Sequence, residues 1–239
     1  MIDNFFIKGD TWKRYSVKLE DFQKININNF HNFNVIAGLY QRPSPFIYNK
    51  HLVPNFLNKL WVKIQKILKL NVINSYKKEI LNLWEELPID IKIFFPESTG
   101  EHESFLSLNH EDKKYKVNGL YLKCTEQAYN LKKHVKSFLN FNILEIGGGY
   151  GIMAEIIMKH DVKNYFICDL DETLNIAEMY LKNFTKYKIK RIKSIEDLNN
   201  LDLNTSSGKI YLCDVKNYLS LSKEISFDIV INSCSFCEM

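Results

Sequence analysis

The residues best suited to chemistry lie in one short segment, ILEIGGGYG, which spans residues 143–151. An apolar run ends there in Glu145, and four glycines follow it: Gly147, Gly148, Gly149 and Gly151. Glycine allows a positive φ and carries no Cβ, so the chain can reverse tightly and a ligand can lie against bare backbone. A helix that begins at such a turn also presents unpaired N–H groups. The segment therefore predicts a binding site for a nucleotide-like ligand.

The charge of Glu145 distinguishes between two nucleotide ligands. A dinucleotide carries a pyrophosphate, and Gly149-x-Gly151-x-x-Ala154 satisfies the loose G-x-G-x-x-G/A pattern of such sites. A carboxylate beside a pyrophosphate is unfavourable, whereas S-adenosyl-L-methionine carries a cationic amino group and a sulfonium. We therefore expect S-adenosyl-L-methionine as the cofactor, bound by Glu145 and the glycines. The simpler interpretation of Glu145 is a strand-end acid that caps a neighbouring loop.

An NAD-dependent oxidoreductase or epimerase is the alternative function for the same glycine turn. Such an enzyme should carry a Tyr-x-x-x-Lys pair or another residue that handles the hydride. Neither Tyr211 nor Tyr218 has a Lys four residues later. The NAD alternative therefore depends on the loose glycine pattern.

Two aspartates end later apolar runs. Asp169 follows Gly149 by 20 residues, where α/β nucleotide sites place a carboxylate that accepts both ribose hydroxyls. Asp214 ends the next run, where it either accepts the adenine amino group or forms a turn. Asp171 and Glu172 belong instead to the first turn of a following helix, where negative charge suits the helix dipole. We thus predict Asp169 as the ribose ligand and leave both roles open for Asp214.

From residue 141 short β-branched runs alternate with helical patterns. Four runs are predicted strands: NILEIG (142–147), YFICDL (165–170), IYLCD (210–214) and FDIVIN (227–232). Helices are expected from about Gly151 and from about Asp171, and the last two strands are expected to be buried on both faces. KIKRIK, 188–193, is either a small extra strand or a helix-end loop. The pattern predicts an α/β fold with a parallel, Rossmann-like sheet.

The chain before this sheet is predicted to be mainly helical. Apolar residues three or four positions apart mark four helices, near 11–23, 54–70, 75–86 and 125–139. Thr125 is the predicted N-cap of the last of them. We therefore divide the chain into a mainly helical region, 1–135, that covers the substrate, and the N-terminal half of a cofactor-binding Rossmann-like domain, 136–239.

Composition indicates a packed protein and gives no sign of a nucleic-acid or metal partner. Hydrophobic residues make up 46% and charged residues 25%, which is ordinary for a globular protein. The net charge of +4 is small and the lysines are dispersed, so nucleic-acid binding is not implied. Cys234 and Cys237 form a C-x-x-C without a second pair or a nearby His, so a zinc site lacks ligands. The six His residues show no metal-ligand spacing.

Charge and cysteine usage suggest a cytoplasmic location. The first 15 residues contain charges from Asp3 to Arg14 and no long apolar stretch, unlike a signal peptide. No uncharged apolar run approaches the roughly 18 residues that span a bilayer. The cysteine count of five is odd, and Cys168 and Cys213 lie inside apolar runs. We therefore expect a reducing compartment, the cytoplasm.

Three segments resemble the sugar O-methyltransferases, a class I S-adenosylmethionine-dependent family: ILEIGGGYG, FICDLDETLNIAEMYL and FDIVINSCSFCEM. The resemblance spans roughly 115–239, while TWKRY and NNFHNF match only loosely. Family members often have Pro where this chain has Asp171. The resemblance implies methylation of a sugar hydroxyl, in the synthesis of a surface glycan or glycoconjugate. It also implies cofactor-binding roles for these residues: Glu145, Gly147, Gly149, Gly151 and Asp169.

The same resemblance directs attention to Glu238. This residue follows the strand expected to end at Asn232, where class I enzymes often place groups that face the transferred methyl. In-line transfer to a hydroxyl needs orientation and a carboxylate or His near the hydroxyl proton. Glu238 is therefore the candidate general base, and a helix-start glutamate is the alternative interpretation.

The strand count differs from that of the family. A class I methyltransferase sheet has seven strands, whereas about four core strands are counted before Met239. The sheet is therefore expected to be incomplete, which leaves an exposed edge with unpaired backbone groups. We expect a premature stop, a split gene in which a second chain supplies the missing strands, or an artificially shortened chain. A truncated, non-catalytic chain or a subunit of a split enzyme is the alternative to an active methyltransferase.

Overall fold

The structure, a computed structural model of the chain, describes residues 80–82, 84–86, 106–110, 113–117, 119–203 and 208–232. Residues 80–82 and 84–86 are helical, within the segment predicted near 75–86. Two predicted helices and three residues of interest lie outside the described residues: the helices near 11–23 and 54–70, Cys234, Cys237 and Glu238.

From residue 106 onward strands alternate with helices. In chain order the elements are β1 (Leu106–His110), β2 (Lys113–Val117), α1 (Gly119–Val135), β3 (Asn142–Ile146), α2 (Ile152–Met158), β4 (Asn164–Asp169), α3 (Asp171–Phe184), β5 (Lys188–Ile192), α4 (Ile195–Asn199), β6 (Lys209–Asp214), a 3₁₀ turn (Val215–Asn217), α5 (Tyr218–Glu224) and β7 (Ile229–Asn232). The helices expected from about Gly151 and Asp171 are confirmed as α2 and α3.

The strands from β3 to β7 form one parallel sheet with the order β5-β6-β4-β3-β7. The chain runs outward from β3 to β4, and it later returns to place β7 on the other side of β3. Where strand order reverses in this way, a crevice opens beyond the carboxyl ends of the strands and binds ligands in α/β proteins. The predicted Rossmann-like α/β fold is confirmed, and this rule places the expected crevice beside the end of β3.

Helices cover both faces of this sheet. One hydrophobic cluster joins α1, α2 and α3 to strand residues such as Ile143 and Leu212. The other cluster joins Leu198 of α4 and Leu221 of α5 to the opposite face of the strands. Because both faces are covered, β3, β4 and β6 are nearly continuous apolar runs.

The two outer strands of the described sheet, β5 and β7, differ from the expectation from sequence. KIKRIK forms β5, which raises the strand number from the expected four to five within the described residues. FDIVIN was expected to be buried on both faces, but β7 alternates partly buried and exposed residues and Val230 is 56% exposed. That expectation is wrong because β7 pairs only with β3 in the described part of the chain, so neighbours cover it incompletely.

The segment before the sheet also differs from the prediction in two ways. Helix α1 begins at Gly119, so Thr125 is a buried interior residue and its predicted N-cap role is wrong. Tyr121 and Leu122 pack into the core and extend the helix toward its N-terminus, because tertiary packing outweighs local capping. The antiparallel hairpin of β1 and β2 was not predicted at all.

A buried polar pair joins α2 to α3 beside the glycine turn, which we define as residues 147–151. Tyr180 Oη donates a hydrogen bond to Glu155 Oε2 over 2.5 Å, and both side chains are buried. Tyr150, within the turn, packs edge-on against the ring of Tyr180 with centroids 4.9 Å apart. The pair therefore supports the glycine turn from the side of α3.

Changing Tyr180→Phe should destabilise the fold by about 1–3 kcal/mol, since it removes the Tyr180 hydrogen bond from the buried Glu155 carboxyl while keeping the ring. Urea denaturation measures this loss. The matched control is Tyr187→Phe, because Tyr187 Oη donates to the Met158 carbonyl over 2.7 Å at a partly buried site that water can reach. Equal losses in the two variants would contradict a special role for the Tyr180–Glu155 pair.

Candidate functional site

The glycine turn has a backbone that other residues rarely adopt. Gly147, Gly149 and Gly151 have φ values of 73°, 56° and 96°. The Gly147 N–H donates to the Cys168 carbonyl over 2.8 Å, and the Gly151 N–H donates to the Gly148 carbonyl over 3.0 Å. The turn thus joins the end of β3 to β4 and leads directly into α2, for which Gly151 is the N-cap.

The surroundings of each glycine show which side of the turn is open. A Cβ at Gly148 would lie 2.8 Å from Glu145 Oε2, and a Cβ at Gly151 would lie 2.9 Å from Leu181 Cδ1. A Cβ at Gly149 would meet nothing within 4 Å. Gly148 and Gly151 therefore close the turn onto the protein, while Gly149 presents its backbone to open space.

Glu145 lies directly beneath the turn in an almost fully buried position. Tyr165 Oη donates to Glu145 Oε2 over 2.9 Å. Burial raises the pKa of Glu145 to about 7, the Tyr165 hydrogen bond opposes this rise, and the negative charge of Asp169 adds to it. The site therefore holds a carboxyl that changes charge near neutral pH, and a nearby cation would favour its ionised form.

Helix α1 carries a thiol whose pKa is affected by Glu145. Burial, followed by the negative charge of Glu145, raises the pKa of the Cys124 thiol to about 12. Sequence reasoning missed both Cys124 and Tyr165. Tyr165 has a recoverable signal, since Ile143 pairs with Tyr165 and Glu145 with Ile167, which puts Tyr165 on the face of Glu145. Cys124 has no such signal, because its position depends on how α1 packs.

Asp169 lies at the carboxyl end of β4 and contacts the same turn. Its Oδ2 accepts the Gly149 N–H over 2.9 Å, and its Oδ1 accepts the Leu170 N–H over 2.6 Å. A carboxylate offers about four acceptor positions, so these two hydrogen bonds alone do not exhaust its acceptor capacity. The structure thus brings Glu145, the glycine turn and Asp169 together, as the sequence predicted. The ribose contact itself stays a prediction.

Asp214 is the register partner of Asp169 on the neighbouring strand β6. Its Oδ1 accepts the Lys216 N–H over 2.9 Å, which is the turn-forming arrangement. The residue is partly exposed at the same edge of the sheet. The predicted contact of Asp214 with adenine stays a prediction.

The described residues give no indication of a metal site or of a membrane-spanning helix. They contain no group of three or more His, Cys, Asp or Glu residues arranged to hold a metal ion. Among them there is also no helix whose length and apolar character would let it cross a bilayer. Cys124, Cys168 and Cys213 are free thiols.

Comparison with known proteins gives one family and two solved structures. The spermine/spermidine synthase domain matches residues 129–239, just under half of the chain and including every strand from β3 to β7. This family has an S-adenosylmethionine-dependent methyltransferase-like fold. A comparison with curated proteins gave no match.

The two structures are methyltransferases with low similarity to this chain. A proposed RNA methyltransferase from Pyrococcus horikoshii has 16% identity and a TM-score of 0.31, covering 49% of this chain and 46% of its own. A protein-L-isoaspartate O-methyltransferase has 14% identity and a TM-score of 0.28, covering 71% of this chain and 46% of its own. The chain thus spans less than half the length of either protein.

Replacing Glu145 by Gln should change how stability depends on pH. The pKa of Glu145 is raised in the folded state from 4.5 to about 7. The free energy of unfolding of the wild type therefore decreases as pH rises through this window, because the folded state must give up a proton that it holds more tightly than the unfolded chain does. The loss reaches about 3 kcal/mol at pH 8, from about 1.4 kcal/mol per pH unit. Gln does not ionise, so the stability difference between Glu145→Gln and wild type should grow in the variant's favour from pH 4.5 to 8. A constant difference in urea denaturation across this range would contradict the assignment.

Proposed function

We propose that this chain contains the S-adenosyl-L-methionine site of a class I methyltransferase that methylates a sugar hydroxyl. The observation that carries the proposal is the position of Glu145, whose carboxyl lies beneath an open glycine turn at the reversal of strand order. A site of this charge favours a cationic nucleoside over a pyrophosphate. The NAD alternative would place two phosphate charges beside this carboxyl.

The residues around the turn fit the parts of this cofactor. Asp169 would accept the ribose hydroxyls, and the open backbone at Gly149 would contact the remainder of the nucleoside. Ionised Glu145 would attract the cationic amino group or sulfonium, and Asp214 would reach the adenine amino group. The cofactor supplies an activated methyl group when bound. The protein must then orient the acceptor and exclude water.

The acceptor is proposed to bind on the side of the helical region. Helix α1 packs in the hydrophobic cluster of α2 and α3, on the sheet face that also carries Glu145. A sugar hydroxyl loses its proton as it is methylated, and Glu238 is the proposed base for that proton. The proposal that the acceptor is a sugar, used in the synthesis of a glycan or glycoconjugate, rests on the sequence resemblance. The free thiols agree with a cytoplasmic enzyme.

Aminopropyl transfer is the second candidate function. The spermine/spermidine synthase match supports it, and that family uses decarboxylated S-adenosylmethionine as substrate. This compound keeps the sulfonium and the primary amine, so Glu145 and Asp169 would suit it equally. The acceptor would then be an amine instead of a hydroxyl.

Calorimetric titration distinguishes these functions. S-adenosylhomocysteine should bind and NAD should not, and Asp169→Asn should weaken binding about tenfold to hundredfold, because hydrogen bonds to charged groups contribute about 1.5–3 kcal/mol. Asp228→Asn is the matched control, since Asp228 Oδ2 accepts the Asn142 N–H over 2.8 Å at the amino end of the sheet. Binding of NAD without S-adenosylhomocysteine would overturn the proposal. Selective binding of decarboxylated S-adenosylmethionine would favour aminopropyl transfer.

The role of Glu238 has its own test. Glu238→Gln should lower methyl transfer to a responsive sugar acceptor by about 10²–10⁴-fold, the usual contribution of a general base, while S-adenosylhomocysteine affinity stays unchanged. The rate of methyl transfer is measured with a panel of sugar acceptors, and the affinity for S-adenosylhomocysteine is measured by titrating the same samples. An unchanged rate would remove Glu238 from the mechanism.

A further inference from the structure

Arg191 is a buried cation on the edge strand β5 that no step above uses. Its side chain is 8% exposed, whereas that of its ion-pair partner Asp171 is 59% exposed. Arg191 Nη2 donates to Asp171 Oδ1 and also to the Asp171 carbonyl oxygen, the latter over 3.2 Å. One guanidinium nitrogen therefore holds both the side chain and the backbone of the first residue of α3.

General stability does not account for this arrangement. A cation beside the positive N-terminal end of a helix is electrostatically unfavourable. Arg191 Nη1 is buried without a hydrogen-bond partner in the described part of the chain, which adds a desolvation cost. An ion pair whose acid is mostly exposed also contributes little. We therefore ask which residues the contact between Arg191 and Asp171 holds in position.

The position of Arg191 links the edge strand to the cofactor site. Register places Arg191 beside Leu212, Leu212 beside Ile167, and Ile167 beside Glu145, so the four residues form one row across the sheet. Asp171 follows Asp169 by two residues. The Asp169 carboxylate in turn accepts the Gly149 N–H. The contact of Arg191 with Asp171 is thus connected through the backbone of residues 169–171 to Asp169 and its hydrogen bond with the glycine turn.

We propose that Arg191 is a positioning residue, which fixes residues 169–171 so that the Asp169 carboxylate meets both the Gly149 N–H and the ribose. The proposal rests on the proposed nucleoside site. A proline at position 171 would fix the same connection through its ring. Leu170 has φ −67° and ψ 147°, which suits a residue before proline, and Pro is favoured at the first position of a helix. In this chain the Arg191–Asp171 contact would fix the connection between β4 and α3 in place of a proline ring.

Titration with S-adenosylhomocysteine tests the proposal through two substitutions at one exposed position. Asp171→Ala should weaken binding at least about fivefold, the lower range for coupling between sites, whereas Asp171→Pro should bind as wild type does. Arg191→Met should weaken binding similarly, but it should have no effect in the Asp171→Pro background. Lys182→Met is the control, because it removes an exposed ion pair with Glu178 on the same helix. Unchanged affinity in Asp171→Ala, or a loss from Arg191→Met that persists in the Asp171→Pro background, overturns the proposal.

Hydrogen exchange without ligand separates this inference from the proposed function. The Gly149 amide should exchange faster in Asp171→Ala, while the Gly147 amide, which donates to a backbone carbonyl, should not change. If wild type does not bind S-adenosylhomocysteine, the proposed function fails, and exchange alone decides the role of the contact. In that case, unchanged exchange at the Gly149 amide would overturn the positioning role of Arg191 as well.

Discussion

The site depends on the Glu145 carboxyl, which is buried beneath the glycine turn where Gly148 has no side chain. Glu145 fits there because Gly148 lacks a Cβ, and it stays there because Tyr165 donates a hydrogen bond to it. A buried carboxyl tends to remain protonated, so its ionisation is coupled to any cation that binds above it. The same burial that shapes the turn therefore links the ionisation of Glu145 to the charges around it.

Helix α3 supports this turn and connects it to the rest of the domain. Leu181 packs under Gly151, and Tyr180 joins Glu155 of α2 while its ring supports Tyr150. At its other end, α3 begins at Asp171, which Arg191 holds from the edge strand. This one helix thus contacts the turn, follows the acidic end of β4 and meets β5. Movement of α3 would change all of them together.

Much of this fold follows from local patterns. The strands β3, β4 and β6 and the starts of α2 and α3 agree with the predicted runs, because buried parallel strands are apolar and glycine marks the turn between them. The hairpin of β1 and β2 and the early start of α1 were missed. Both depend on packing between segments, as the buried Tyr121 of α1 illustrates.

The sequence by itself determined which residues meet at the site, since the carboxyl ends of parallel strands share one edge of a sheet. Glu145, Gly149 and Asp169 could therefore be chosen without coordinates. Only the tertiary structure decided the properties of their surroundings: the raised pKa values of Glu145 and Cys124, and the contact of Arg191 with Asp171. These features join residues about 20 positions apart in the chain. Their chemistry arises from burial and distance, which periodicity and motif spacing do not encode.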